Sequence, residues 1–289
     1  MVGIQGRDLM TGSRVRVAFQ GEVGAYSEEA SLTFFGQDID TLPYRTLTEV
    51  FHAVENEEAE YGLVPIENSI EGSVFQTYDL FLESKLMIWG ETVFKVTHCL
   101  ISKEKDISSV KEVYSHPQAL GQCRKFLERL GCTLIASYDT AGSVKILKEK
   151  NLPNAAAIAS ERAAKVYGMN ILARNIESDP YNYTRFLAIA LNDNERTGND
   201  KTSIIFSTKH VPSALYKALE PFAKRNINLT KIESRPIIGK PWEYNFYLDF
   251  EGHRVEERMK EALKELEVNS TFLKVLGSYP KAKELVVQS

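Results

Sequence analysis

The stretch "RVRVAFQGEVGAYSEEASLTFFG" (residues 14–36) sets the plan of the first half of the chain. Arg14, Val15, Arg16 and Val17 alternate as a half-buried strand does, and glycines then supply a turn. A helical apolar stripe follows and is closed by Gly36. Outward from it, "TLTEVFHAVENEEAE" (46–60) begins with Thr46 and Glu49 at capping-box spacing, and "YGLVPIENS" (61–69) reads as a buried strand ending in polar residues. Strand alternating with helix predicts a mainly parallel α/β sheet.

A β-rich run, "KLMIWGETVFKVTHCLISK" (85–103), leads into a second set of such units. "EVYSHPQALGQCRKFLERLG" (112–131) gives a short strand, Ser115 as a helix cap, Pro117 in the first turn and Gly131 at the end. Two more strand-and-helix units and a last strand from Tyr183 complete two lobes. They connect near residues 85–100 and 178–190 and should enclose a cleft, with ligands at the carboxyl ends of the strands. "LNDNERTGNDK" (191–201) is polar and without periodicity, a linker. Beyond it the order βαββαβ is the ferredoxin-like plan. The expected division is 14–192 for the two α/β lobes, 193–201 for the linker and 202–282 for the C-terminal domain.

The 289 residues suffice for about two domains of ~150 residues each. A net charge of −4 with no basic block argues against nucleic acid as a partner. The first thirteen residues lack the apolar run of a signal peptide, and no uncharged stretch approaches a membrane span, so the expectation is a cytoplasmic protein with no membrane partner. Cys99, Cys123 and Cys132, odd in number and without CxxC spacing, fit reduced thiols.

Four polar turns stand at strand ends: "GAYSEE" (24–29), "ENSIEGS" (67–73), "SHPQ" (115–118) and "DTAGS" (139–143). Each places Ser, Thr or Gly where a helix would begin, so backbone N–H groups and the helix dipole can face an anion. Singly each is most simply a cap; around one cleft they suggest a small ligand with several acceptor groups. Neither GxGxxG nor GxxxxGK[ST] occurs, and the five histidines show no metal-ligand spacing, so no nucleotide and no metal is expected. Adjacent His98 and Cys99 would point to opposite faces of a strand, which argues against a thiol nucleophile and its base.

The motifs "VAFQGEVGAYSEEA", "VPIENSIEGSV", "HCL", "SHPQALGQC", "AAIAS", "NYTRF" and "KIESRP" together resemble the prephenate dehydratase family with its C-terminal ACT regulatory domain. The resemblance runs in order from about residue 15 to 280. It implies a two-lobed, periplasmic-binding-protein-like catalytic domain and a ferredoxin-like ACT domain. The implied reaction converts prephenate to phenylpyruvate, carbon dioxide and water, with no cofactor. A strong ion pair to the departing ring carboxylate would stabilise the ground state and slow that reaction.

On this resemblance Thr184 assists departure of the C4 hydroxyl of the dicarboxylate substrate. Arg185 points to the other face of a regular strand, so either the strand is irregular at its start or Arg185 anchors substrate less directly. Phe186 packs against the ring or the core. Asn68 and Ser69 supply donors from the first lobe; Thr140, Gly142 and Ser143 form a helix start in the second. Glu67, unfavourable opposite a dianion unless protonated or bonded to a donor, would orient its loop. Ser27 and Gln118 have capping as the simpler duty. "ESRP" (Glu233, Ser234, Arg235, Pro236), with Asn228, Ala214 and Leu215, would bind L-phenylalanine as effector in a homodimer or homotetramer. Ser213 stands where the family has glycine. The alternatives are arogenate dehydration, which has an amine in place of the keto group, and a non-catalytic amino-acid sensor.

Overall fold

The computed structural model describes residues 14–283. In chain order the elements are β1 (Val15–Gln20), α1 (Tyr26–Phe35), β2 (Ile39–Tyr44), α2 (Leu47–Glu55), β3 (Tyr61–Asn68), β4 (Gly72–Ser73), α3 (Phe75–Glu83) and β5 (Met87–Lys95). There follow β6 (Cys99–Ser102), β7 (Glu112–Ser115), α4 (Pro117–Gln122), α5 (Arg124–Leu130), β8 (Thr133–Ala136), α6 (Thr140–Lys150), β9 (Ala155–Ala159), α7 (Glu161–Tyr167), β10 (Asn170–Arg174) and β11 (Tyr183–Ala190). The last are β12 (Asp200–Ser207), α8 (Ala214–Lys224), β13 (Leu229–Ile237), β14 (Lys240–Glu251), α9 (Glu257–Asn269) and β15 (Phe272–Pro280).

The chain divides into two compact units, one of residues up to Val74 with Val93–Phe186, the other of Phe75–Thr92 with Leu187 onward. Strands β5 and β11 belong partly to each. In the first unit one sheet has the order β2-β1-β3-β11-β5, with β4 paired to β3, and a second has the order β10-β6-β9-β7-β8. Parallel pairing joins β1 to β2 and β3, and β7 to β8 and β9, but β6 runs antiparallel to β9 and β10. The sheets are therefore mixed, since β6 enters from the preceding strand without a crossover helix.

Strand β1 starts with the alternation its sequence shows, then buries Val17, Ala18 and Phe19 completely. A strand with parallel neighbours on both sides is covered on both faces, and tertiary packing overrides the period of two. Phe19 and Ala25 join the buried cluster of Cys99, Ala141, Val144 and Ala163, so the two lobes share an apolar contact. Helix α2 starts as expected: Thr46 Oγ1 accepts from Glu49 N–H at 3.2 Å and Glu49 Oε2 from Thr46 N–H at 2.9 Å.

Other helix starts differ from expectation. Ser115 does not cap α4; it is buried and donates to Ile158 C=O at 2.7 Å, while His116 Nδ1 accepts from Gln118 N–H at 3.3 Å. Helix α1 has no side-chain cap from Ser27, and Glu28 Oε2 instead accepts from Gly24 N–H at 2.7 Å. Residues 67–73 form the β3–β4 hairpin rather than a helix start, with Gly72 at a φ of 81°.

In the second unit β13-β14-β12-β15 form one antiparallel sheet. Ala218 and Phe222 of α8 and Met259, Ala262 and Leu266 of α9 pack with Ile204, Phe206, Leu248 and Phe250, which completes the ferredoxin-like layer. Strand β12 takes Asp200 and Lys201 from the segment read as linker. Helix α3 belongs to this unit. Lys274 Nζ donates to the carbonyls of Phe81, Leu82 and Ser84 at its carboxyl end, where the dipole favours a cation. Arg235 pairs with Asp79 at 2.5 Å and lies 4.5 Å from the centre of the Phe75 ring.

Ser213 precedes α8 with a φ of 65°, the left-handed region that favours glycine. Ser213→Gly is expected to stabilise the protein by about 1 kcal/mol. A thermal melt would show a higher midpoint; an unchanged or lower one would mean the serine is unstrained.

Candidate active site

A cavity of about 360 Å³ opens in the first unit, where Gln20, Asn68, Tyr138 and Thr140 mark the carboxyl ends of strands or the turns that follow them. Tyr26 and Ser27 of α1, Glu71 to Val74 of the hairpin, His98, Gln118 and Gln122 complete most of the wall, with Thr184 from β11. Among the described residues no lysine or arginine lines it, and its ionisable groups include the carboxyl groups of Glu71 and Asp139. Burial raises the Asp139 carboxyl above its usual range, opposed by the N–H of Gly142, whose bond to Oδ1 is 2.6 Å. An anion bound here would draw on side-chain donors of the lining and on the N–H groups at the start of α6 that Asp139 does not already hold.

Thr184 is nearly buried and bonded by Asn68 Nδ2 at 2.9 Å. The direction of that bond is fixed from outside. Asn68 Oδ1 accepts the N–H groups of Ile70 and Glu71 at 2.9 and 3.0 Å, so the amide nitrogen must face Thr184. The Thr184 oxygen is therefore an acceptor towards Asn68, and its own proton remains available to the cavity.

Of the residues singled out from the sequence, Thr184, Asn68 and Thr140 line the cavity, with Ser27 and Gln118. Ser69 does not; its hydroxyl donates to Tyr181 C=O at 2.6 Å and accepts from Tyr183 N–H at 2.9 Å, stapling the hairpin to β11. Glu67, at the end of β3, lies outside the lining. Ser143 is fully buried and bonds Asp139 C=O at 2.7 Å. A Cβ on Gly142 would fall 2.6 Å from the Tyr138 ring, so glycine lets that ring close over the helix start. Arg185 of β11 is half-buried and absent from the lining that holds its neighbour Thr184. Phe186 is buried in the core and also outside the lining.

Sequence reasoning missed His98, Gln122, Asn182 and Glu71. The signals were present: Asn182 shares a strand face with Thr184 by the period of two, and Gln122 follows Gln118 by one helical turn. His98 drew attention only as a possible metal ligand or base. Among the described residues no group of three or more His, Cys, Asp or Glu could hold a metal ion, and no helix is long and apolar enough to cross a membrane.

In the second unit a smaller cavity of about 150 Å³ is lined by Ala214 and Leu215 together with Val211, Trp242 and Phe246. Asn228, Glu233, Ser234, Arg235 and Pro236 do not line it. Asn228 C=O accepts from Glu251 N–H at 2.9 Å, and Arg235 is engaged with Asp79.

Fold and site define a two-lobed α/β protein with a polar cavity, joined to a ferredoxin-like domain. The family model described as prephenate dehydratase matches residues 17–194, and that described as ACT domain matches residues 202–268. The chain belongs to the prephenate dehydratase family and carries an ACT domain. The bifunctional chorismate mutase/prephenate dehydratase of Aquifex aeolicus is 50% identical over 271 residues, 93% of this chain and 74% of that protein. Arogenate dehydratase/prephenate dehydratase 2 of Arabidopsis thaliana is 46% identical over 284 residues, 94% of this chain and 74% of that protein. The solved structure of prephenate dehydratase from Arthrobacter aurescens in complex with L-Phe is 33% identical with a TM-score of 0.85, covering 92% of this chain and 90% of that one. A structure described as GqqA, a novel type of quorum quenching acylase, is 32% identical with a TM-score of 0.84, covering 92% and 98%.

Proposed function

We propose that the protein catalyses the decarboxylating dehydration of prephenate to phenylpyruvate, carbon dioxide and water on the way to L-phenylalanine. It acts without a cofactor, in the cytoplasm, as a homodimer or homotetramer that L-phenylalanine regulates through the ACT domain. Catalysis belongs to residues 14–192 and regulation to 202–282, with 193–201 between them. The observation that carries this reading is the Thr184 hydroxyl, whose oxygen takes a hydrogen bond from Asn68 while its proton is left for the cavity.

The chemistry follows from the substrate. The bond from ring C1 to its carboxylate breaks, and its electron pair, relayed through one of the two ring double bonds, expels the C4 hydroxyl and makes the ring aromatic. Thr184 donates a hydrogen bond to that oxygen as negative charge gathers on it, and solvent supplies the proton that makes water. Among the described residues the lining has no lysine or arginine, which supports a ring carboxylate left without an ion pair that would hold it in the ground state. Thr140 and the start of α6 hold the pyruvyl carboxylate, and Asn68, whose amide hydrogens go to Thr184 and Asn182, orients the Thr184 hydroxyl. Glu67, Ser69, Gly142, Ser143, Arg185 and Phe186 support the geometry of those contacts from behind. In an acyl transfer Thr184 would hand its proton to a base; its bond partner is an amide nitrogen, which donates.

Purified full-length protein should turn prephenate into phenylpyruvate faster than it turns arogenate into phenylalanine, and added L-phenylalanine should change the rate. Turnover of arogenate alone would correct the substrate while leaving the site in place. Turnover of neither would favour an amino-acid sensor.

A further inference from the structure

The amides of the cavity wall differ in how far their hydrogen bonds are already committed. Asn68 gives its amide hydrogens to Thr184 and Asn182, and its oxygen takes the N–H groups of Ile70 and Glu71. Gln122 Oε1 accepts from Asn182 Nδ2 at 2.9 Å, and Gln122 Nε2 donates to Glu71 Oε1 at 3.2 Å. Gln20, the last residue of β1, is half-buried in the same lining, and its amide has no hydrogen-bond partner among the described residues. Gln118, the other uncommitted amide of the lining, is exposed on α4. Chain geometry sets where Gln20 stands. Gly21 follows it, and a Cβ on Gly21 would lie 3.2 Å from Oδ2 of Asp139, the residue that caps α6. The end of β1 is therefore beside the start of α6.

We propose that Gln20 is a specificity-determining residue that bonds the group on the α-carbon of the substrate's side chain, the keto oxygen of prephenate or the ammonium of arogenate, and that arogenate is a second substrate of this site. The inference rests on the dehydratase reading of the cavity. In both molecules the α-carbon is joined directly to the carboxylate that the start of α6 holds, so its substituent comes within reach of a side chain at the end of β1. An uncommitted amide can turn to suit either group, since Nε2 donates to a keto oxygen and Oε1 accepts from an ammonium. Asn68 and Gln122 cannot turn without breaking the bonds they have. Among the described residues no lysine or arginine of the lining opposes an ammonium, and the carboxyl groups of Glu71 and Asp139 favour one. The same bonds break in either substrate: the ring carboxylate leaves as carbon dioxide, the C4 hydroxyl leaves as water with a proton from solvent, and arogenate yields phenylalanine.

Loss of the amide falls unequally on the two substrates. A bond to a keto oxygen joins neutral partners, whereas a bond from an ammonium is charge-assisted and stronger. A carboxylate in the same place can only accept. It still meets the ammonium, but it repels the keto acid, which has no positive charge to offset its two carboxylates. A residue that merely packed the turn would move both substrates together.

The test is kcat/KM on prephenate and on arogenate for the full-length wild type, Gln20→Met and Gln20→Glu, each beside a thermal melt. The wild type should turn over both. Gln20→Met, which keeps the length of the side chain, should lose about 3- to 10-fold on prephenate and about 10- to 100-fold on arogenate. Gln20→Glu should lose at least about tenfold on prephenate and stay within about threefold of the wild type on arogenate. Should Gln20→Met not fold, Gln20→Leu should show the same unequal losses. No turnover of arogenate by a wild type that consumes prephenate, or values on the two substrates that stay unchanged or fall equally in Gln20→Met and Gln20→Glu, would overturn the proposal. If the wild type turns over neither substrate, the failure lies with the dehydratase reading, and the role of Gln20 falls with it.

Discussion

Thr184→Val should lower kcat on prephenate by about 10² to 10⁴ while KM stays within a few-fold, the size of effect expected when a leaving group loses its proton-sharing partner. Valine matches threonine in shape and in strand preference, so β11 should keep its place. The stability cost is that of one hydrogen bond, about 1 kcal/mol. Asn68 Nδ2 keeps its bond to Asn182. Steady-state kinetics beside a thermal melt check this. A variant that retains kcat, or one that loses activity only because it has melted, would remove the role given to the hydroxyl.

Arg162→Met should cost about 3–5 kcal/mol, the range for removing one partner of a buried ion pair. Glu28 is 1% exposed, and Arg162 meets it with two bonds, Nε at 2.8 Å and Nη2 at 3.0 Å, from the helix of the opposite lobe. The same carboxylate holds Gly24 N–H, and Ser160 donates to Gly24 C=O at 2.7 Å, so the turn that carries Tyr26 and Ser27 into the cavity depends on this contact. A Cβ on Gly24 would lie 2.8 Å from the Ala163 backbone, which shows how closely the lobes approach there.

Burial alone would raise the Glu28 carboxyl, but the bonds from Arg162, Gly24 and Thr41 bring it below the usual carboxylate value. A carboxyl depressed on folding contributes stability above its unfolded pKa of about 4.3, and that contribution is lost as pH falls through the folded value. In Arg162→Met burial dominates and the shift reverses. The stability gap between variant and wild type should therefore narrow as the pH is lowered from 7 towards 4. Urea midpoints over that range measure it; a gap independent of pH would mean Glu28 is not the group left exposed to the loss.

Much of the fold was legible in the chain because its signals are local. Thr46 and Glu49 sit at capping distance in sequence and do so in space, and the order βαββαβ needs only periodicity and turns. What was not legible depends on partners far apart. Ser115 has the look of a cap, yet the strand beside it offers Ile158 C=O, and a buried hydroxyl takes that acceptor. Arg16 and Val17 promise alternation that the parallel neighbours of β1 erase.

The site divides in the same way. Thr184 and Asn68 stand in motifs that the family resemblance picks out. Their relation, with Asn68 orienting Thr184 across 116 residues of sequence, exists only once β3 and β11 pair. His98 was read for what it could ligate or deprotonate, whereas it stands in the cavity lining 2.8 Å from Gln122 Oε1 and 2.7 Å from Tyr26 Oη. Nor did the sequence suggest that Arg235, in the motif expected to touch an effector, would hold Asp79 of α3.

The most direct measurement is the single-turnover rate of prephenate breakdown by Thr184→Ser beside Thr184→Val, with enzyme in excess so that binding and release do not contribute. The account predicts that serine, which keeps a hydroxyl for Asn68 to orient, retains a rate within about tenfold of wild type while valine loses about 10² to 10⁴. Equal rates in the two variants, whether both fast or both slow, would contradict it.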